Sequence, residues 1–257
     1  MSSGRLFLQH FQSTEAVGIF SAANRVGLIL MLICVTPFQT AWGYLGLDFL
    51  RHGDAKSIYA RAFTYLLSGG LFAFFGISFL GRALIVLFGG AAYRPAIAYI
   101  DPLMAGYLML MFFYWANSIL MHREMTGRVF LLTLPSFAIA LGGGWVVIPH
   151  YGIAGACGVF VAAMAQSLFI TVYGMRLLGL SLERGRVGMA LVSFGILYGM
   201  GRVAAAWAPA ADLVVSLVLI PAYPIVLWML GFLTDGEKAW MRSLPELVRK
   251  RWGGGES

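Results

Sequence analysis

The sequence predicts an all-α membrane protein with about seven transmembrane helices, on the evidence of its composition and its apolar runs. Of its 257 residues, 60% are apolar and only 11% are charged, and the mean hydropathy is +0.82. A soluble domain carries about 25% charged residues, so this chain has too few charges to cover a water-facing surface. Its apolar runs are continuous over the length of a membrane-spanning helix, whereas barrel strands would alternate in polarity. These features exclude a soluble enzyme, a disulfide-stapled secreted module and a nucleic-acid binder.

Seven apolar runs follow one another along the chain, separated by charged or Gly/Pro-rich joints. They cover residues 16–47, 60–80, 96–121, 129–148, 152–175, 187–206 and 213–233. We expect four regions: an extracytoplasmic stub (1–15), a five-helix transmembrane bundle (16–180), two additional helices (181–233) and a basic cytoplasmic tail (234–257).

The distribution of the 18 lysines and arginines predicts the orientation of the chain. Consecutive joints lie on alternate sides of the bilayer, so each basic residue is assigned to one side. One side receives Arg51, Lys56, Arg61, Arg123, Arg128, Arg176, Arg184, Arg186, Lys238, Arg242, Arg249, Lys250 and Arg251, and the other receives Arg5, Arg25, Arg82, Arg94 and Arg202. Because cytoplasmic loops carry the excess of Lys and Arg, the C-terminus is predicted in the cytoplasm and the N-terminus outside.

The first 15 residues do not explain how an N-terminus would reach the outside. They contain neither a charged n-region followed by a short apolar core nor a cleavage site. We therefore expect the chain to be the later part of a larger protein whose missing portion contributes an odd number of earlier spans.

Four short stretches carry a resemblance to a known family. Residues 17–25 (VGIFSAANR), 93–96 (YRPA), 148–156 (IPHYGIAGA) and 233–238 (LTDGEK) occur in an order and spacing that resemble the second lobe of the polysaccharide flippases (Wzx-type) of the multidrug/oligosaccharidyl-lipid/polysaccharide exporter superfamily. One departure is visible, because members commonly show Asp-Arg before the first of these helices and this chain has Gly4-Arg5.

The resemblance implies a fold, an activity and partners. The chain would be the second bundle of a two-lobed transporter in the bacterial cytoplasmic membrane. It would flip undecaprenyl-diphosphate-linked oligosaccharides for O-antigen, capsule or exopolysaccharide synthesis, without enzymatic activity or a cofactor. The expected partners are the lipid-linked oligosaccharide, membrane lipids, the missing N-terminal lobe and a polysaccharide polymerase, but no nucleic acid.

Polar residues of the first span share one helical face. At 100° per residue, Ser21, Asn24, Arg25, Thr36, Gln39, Thr40 and Gly43 fall within an arc of about 160°. Most other positions are apolar, so this face is predicted to turn away from lipid. Two interpretations of Arg25 stay open. Its guanidinium faces a cavity that attracts a lipid pyrophosphate, or it snorkels to the outer interface from a helix longer than the bilayer.

Aromatic and amide side chains in later spans are the other candidates for substrate contact. Tyr107, Tyr114 and Asn117 share a face of the third span, and Gln166 lies in the fifth. Rings and amides suit sugar stacking and hydroxyl bonding, and the alternative is packing and hydrogen bonding between helices. The sequence thus predicts a substrate cavity formed by Ser21, Asn24, Arg25, Gln39, Tyr107, Tyr114, Asn117 and Gln166.

Other functions find less support in the sequence. The four histidines have no ligand partner at i+3 or i+4, so no metal site is expected. A drug exporter of the same superfamily would prefer acidic cavity residues for cationic substrates, and acidic residues are almost absent from the spans. A seven-helix receptor fits the span count, although a retinal pigment would need a lysine in its last span.

The charge distribution yields a topology that can be measured. Single cysteines near Lys56, Arg123 and Arg184 are expected to resist an impermeant thiol reagent on intact cells, in a background in which Cys34 and Cys157 are replaced. Labelling at two of the three sites would reverse the orientation.

Overall fold

The computed structural model describes residues 2–51, 55–207, 212–234 and 237. These residues form helices and short connections, with no strand among them, which confirms the predicted all-α fold class. The α-helices are α1 (Ser2–Phe11), α2 (Thr14–Leu30), α3 (Thr36–Arg51), α4 (Ala55–Gly89), α5 (Ile97–His122), α6 (Thr126–Leu178), α7 (Arg184–Trp207) and α8 (Asp212–Met229).

The lengths of these helices match a multi-pass membrane protein. In the described part of the chain, five helical segments are long and apolar enough to cross a bilayer, and α8 adds a shorter apolar stretch, Leu217–Met229. The five are Thr14–Gly43, Ala55–Gly89, Ala91–Met121, Thr126–Leu178 and Arg184–Trp207. Within the predicted stub, 1–15, the structure forms α1, which packs against α6 and α2.

The first span contains a wider turn that the sequence pattern does not show. Residues Met31–Val35 form a π-helical turn between α2 and α3. Pro37 follows it and lacks an N–H, so the carbonyl of Ile33 loses its ordinary helical donor. A wider turn beside a proline is a common way to accommodate the ring without ending the helix. The span therefore continues, but residues after the turn are rotated from the positions of a regular helix.

The longest helix, α6, folds back on itself at Gly152. This residue has φ 54° and ψ −127°, a conformation that glycine adopts readily. Contacts across the bend pair residues on either side of it, at sequence separations that increase with distance from the bend. A Cβ on Gly155 would lie 2.9 Å from the carbonyl oxygen of Val147. Further from the bend, Ser136 Oγ donates to the carbonyl of Ala163 at 3.0 Å. The two halves are therefore antiparallel, which places a turn within the predicted joint region and divides α6 into two spans.

The ends of the helices alternate as predicted. At the end of the bundle that holds the Gly152 bend, Gly18 of α2 contacts Tyr93, and Arg202 of α7 pairs with Asp101 of α5. We call this the Gly152 end. At the opposite end, Arg186 of α7 contacts Tyr65 of α4, and Arg128 of α6 contacts Tyr173. We call this the basic end, because it gathers the joints assigned to the lysine- and arginine-rich side.

The core is centred on α4 and α5. On α5, the fully buried side chains recur every three or four residues: Ile100, Leu103, Met104, Tyr107, Met111, Trp115 and Ile119. This spacing places them on one broad helical face. α4 contacts α2, α5, α7 and α8, and one side of α5 packs on the α6 hairpin.

The α6 hairpin supplies a stability test with a matched control. Gly155→Ala brings a methyl group against the backbone carbonyl of Val147, which cannot move without bending the hairpin, so a loss of about 1–3 kcal/mol is expected. Gly158→Ala meets no atom within 4 Å and gains helix propensity, so its stability should stay equal or rise. Unfolding in mixed micelles compares the two, and equal losses would contradict the antiparallel packing.

Candidate functional site

An open groove lies at the Gly152 end, between α1, α2 and the last turns of α4. Its volume is about 640 Å³. The lining residues are Arg5, Thr14, Val17, Gly18, Ser21, Ala22, Arg25, Val26, Leu84, Ile85, Phe88, Gly89 and Tyr93. Three separate helices and the turn after α4 therefore form one concave surface.

Local sequence explains how α2 forms one wall of the groove. Ser13 caps α2, because its side-chain oxygen accepts a hydrogen bond from the amide of Ala16 at 3.2 Å. One and two turns further along α2, Gly18 and Ala22 line the groove with small side chains, which leave space above the helix. A Cβ on Gly18 would lie 3.8 Å from the ring of Tyr93, an ordinary contact distance, so that ring lines the groove beside Gly18.

The groove is cationic. Its two charged side chains are Arg5 of α1 and Arg25 of α2, both exposed, and no Asp or Glu lines it. Neither guanidinium forms an ion pair with a residue that the structure describes. Guanidinium groups bind phosphate and carboxylate through paired hydrogen bonds, so the groove is suited to an anion.

Ser21 adds a free polar group to the same wall. Its side-chain oxygen is buried and has no hydrogen-bond partner among the described residues. Buried hydroxyl groups are normally paired, so an unpaired one beside a cationic groove marks a position where a ligand or water would be bound. Ser21 and Arg25 lie four residues apart on one helical face, which brings both groups to the groove.

Asn24 and Tyr107 meet each other rather than the groove. The Tyr107 hydroxyl donates to Asn24 Oδ1 at 2.9 Å, and this bond joins α2 to α5. The Tyr107 side chain is fully buried, with its ring packed on Gly27 and Phe160. The structure thus gives these two predicted site residues the interhelical contact that the sequence left as the alternative.

Gln39 lies far from the groove along the same membrane span. It follows Ser21 by 18 residues, a rise of about 27 Å at 1.5 Å per residue. Its neighbours on α3, namely Thr36, Thr40 and Gly43, are exposed like Gln39 itself. The threonine hydroxyls bond to backbone carbonyls of their own helix, but the described chain does not cover this polar face.

The remaining predicted residues also lie outside the groove. Tyr114 is half-buried, with Phe113 edge-on at 5.5 Å. Asn117 has a buried Oδ1 without a partner among the described residues. Gln166 hydrogen-bonds Ser136 and the carbonyl of Leu132 and so joins the two halves of α6. The eight predicted residues therefore do not form one cavity, and two of them, Ser21 and Arg25, line the groove.

Sequence reasoning missed two features of this end of the bundle. Arg5 was placed in a stub, and only the packing of α1 against α2 and α6 brings it to the groove. Arg202 was assigned only to the predicted outer side, and the structure pairs it with Asp101 at 3.4 Å, as it does Arg82. The signal available in the sequence was Asp101 itself, an isolated carboxylate within an apolar run, which requires cationic partners.

Comparisons with protein-family models, with curated proteins and with solved structures find no match to this chain. The family resemblance described above therefore rests on its four sequence stretches.

The different surroundings of Asn24 and Arg25 predict different effects on stability. Asn24→Leu removes the bond to Tyr107 and should cost about 1 kcal/mol in detergent-micelle unfolding. Arg25→Gln alters an exposed side chain and should change stability by less than about 0.5 kcal/mol. A larger loss from Arg25→Gln would show that Arg25 holds the fold together rather than serving the groove.

Proposed function

We propose that the chain is one helical bundle of a membrane transporter, and that it forms the second lobe of a flippase for undecaprenyl-diphosphate-linked oligosaccharides. The observation that carries the proposal is the α2–α3 span, which lines the cationic groove and, further along, exposes the polar residues Gln39 and Thr40. The four sequence stretches that resemble the flippase family are the reason for proposing a flippase rather than another kind of transporter.

The polar face is unsuited to lipid. Gln39 and Arg25 are exposed and have no partner among the described residues. Exposure of an arginine to lipid costs up to about 2.5–3.5 kcal/mol at the helix centre and less near the interface. Many exposed side chains elsewhere on the described bundle are apolar, for example Phe137 and Val146 on α6 and Val192 on α7. Lipid suits those surfaces, whereas the α2–α3 face suits an aqueous cleft against a second membrane bundle.

The groove favours an anionic headgroup as the transported charge. Arg5 and Arg25 offer two guanidiniums without competing carboxylates, and Ser21 offers an unpaired hydroxyl. In the predicted orientation the groove lies at the outer side of the membrane, where the substrate would be released. An inside-negative potential favours outward movement of an anion by about 2.3 kcal/mol per charge per 100 mV.

The same proposal assigns the partners and the mechanism. The bundle would work with an N-terminal lobe, encoded upstream or by an adjacent gene, in the bacterial cytoplasmic membrane. The two lobes would alternate access to the cleft while the polyprenyl chain stays in lipid. A drug exporter is disfavoured because a cationic substrate would require carboxylates in place of the groove arginines.

Arg25 provides the test of the proposed substrate. Arg25→Gln keeps a hydrogen-bonding side chain but loses the charge, and Arg25→Lys keeps the charge but loses the planar fork. In the complete transporter, Arg25→Gln should abolish glycan export, and Arg25→Lys should retain part of it. Surface glycan is measured in cells that contain equal amounts of each protein in the membrane.

Arg94→Gln is the matched control, because Arg94 is exposed at the same end and does not line the groove. Its glycan export should be close to that of the unmodified protein. Normal export by Arg25→Gln at equal expression would remove Arg25 from substrate binding. An equal loss from Arg94→Gln would indicate a general need for positive charge at this end.

A further inference from the structure

The last two helices form a pair that attaches to the rest of the described bundle mainly through α4. α7 and α8 pack against each other, and each packs against α4. α7 runs parallel to α4, since Arg186 near its start contacts Tyr65 and Gly201 near its end contacts Phe79. The attachment of the pair therefore depends on the side-chain contacts that α7 and α8 make with α4.

One group of charged and aromatic residues holds the interface at the basic end. Arg186 forms ion pairs with Glu183 at 3.0 Å and with Glu237 at 3.1 Å, and donates a hydrogen bond to the Tyr65 hydroxyl at 2.9 Å. Its guanidinium also lies over the rings of Tyr65 and Phe232, 5.1 Å and 4.7 Å from their centres. This Arg186 cluster joins α4, α7 and the segment after α8.

The carboxylate of Glu237 is held in its charged form, as an ion pair with Arg186 requires. Burial alone would raise the pKa of Glu237, but hydrogen bonds from Tyr65 and Thr234 and the positive charge of Arg186 outweigh burial and lower it. Glu237 therefore remains ionised at neutral pH. The amide of Thr234 also donates a hydrogen bond to Glu237 at 2.7 Å, which helps to fix the position of the carboxylate.

A second group holds the same interface at the Gly152 end. Asp101 of α5 pairs with Arg82 of α4 and with Arg202 of α7, both at 3.4 Å. The hydroxyl of Ser78 also donates a hydrogen bond to its carboxylate. This Asp101 cluster connects three helices through one partly buried carboxylate, whose side chain is 21% exposed.

Between the two clusters the surfaces are largely aromatic. Phe194 of α7 meets Phe74 edge-on at 5.4 Å, and Tyr198 meets Phe79 at 6.0 Å. Gly201 lets the ring of Phe79 lie against the α7 backbone. Ring pairs prefer edge-on or offset geometries, and ion pairs with several hydrogen bonds fix the geometry more strictly at each end. The charged clusters and the rings therefore set the relative position of α7 and α4 together.

We propose that α7 and α8 form a strap that moves as a unit on α4, and that the Arg186 and Asp101 clusters are two latches that hold it closed. Arg186 and Arg202 are 16 residues apart on α7, or about 24 Å, so the latches act near opposite sides of the bilayer. Release of one latch tilts the strap, and release of both separates it from α4. This inference does not depend on the identity of the transported substrate.

Distances between spin labels in lipid nanodiscs test the strap. The label pairs are Arg61 with Gly185 at the basic end, Leu80 with Val203 at the Gly152 end, and Leu134 with Phe169 within α6 as the internal reference. Each pair is introduced in a background without Cys34 and Cys157. The latch variants are Arg186→Gln, Asp101→Asn and the double substitution. Arg128→Gln is the charge-matched control, because Arg128 bonds to Tyr173 outside both clusters.

Each single substitution is expected to add a longer-distance population at its own end alone, and the double substitution at both ends. The α6 pair should keep its distance in every variant, and Arg128→Gln should leave all three pairs unchanged. Unchanged distances in the variants would overturn the proposal, and so would a parallel change of the α6 pair, which would mean general loosening. The two single variants decide the outcome if the double variant does not reach the membrane.

Discussion

The hydrocarbon core of a bilayer offers no hydrogen-bond partner, and this constraint shapes every part of the chain. Backbone groups are paired within helices, and even the irregular turn before Pro37 keeps its span helical. Several polar side chains follow the same rule: Gln166 bonds across the α6 hairpin, and Asp101 contacts Ser78, Arg82 and Arg202. The side chains that break the rule, above all Arg25 and Gln39, lie on the surface that we propose faces water or another protein.

The helix α4 connects the parts of this structure that matter for function. Its small residues permit close approach, because a Cβ on Gly70 would lie 2.4 Å from the Met111 side chain and one on Gly81 would lie 2.5 Å from Val26. Its last turns form a wall of the groove, and its opposite face supports α7 and α8. A movement of the α7–α8 pair and a change in the shape of the groove would therefore involve the same helix.

Individual residues show how far the sequence could lead. The order of the spans predicted which joints share an end of the bundle, because consecutive joints alternate between the two ends. The charges of joints such as 122–128 predicted only which end is cytoplasmic. Ser21 and Arg25 were predicted as site residues because they lie one turn apart on the same helical face, and in the structure both line the groove. Gln39 was assigned to the same helical face on the assumption of a regular helix, although it lies 18 residues after Ser21. Over that distance, the π-helical turn and the length of the helix separate it from the groove.

The sequence by itself determined the all-α membrane class, the span positions and the alternating ends, since these depend on hydropathy and charge summed along the chain. It also indicated a break between the two halves of α6, because a joint that contains Pro149 separates the apolar runs 129–148 and 152–175. Only the tertiary structure decided that Arg5 joins Arg25, that Tyr107 bonds Asn24 and that Asp101 pairs with two arginines. Each of these contacts depends on the rotation and depth of one helix against another. Side-chain packing over many residues sets those quantities, and no local pattern encodes them.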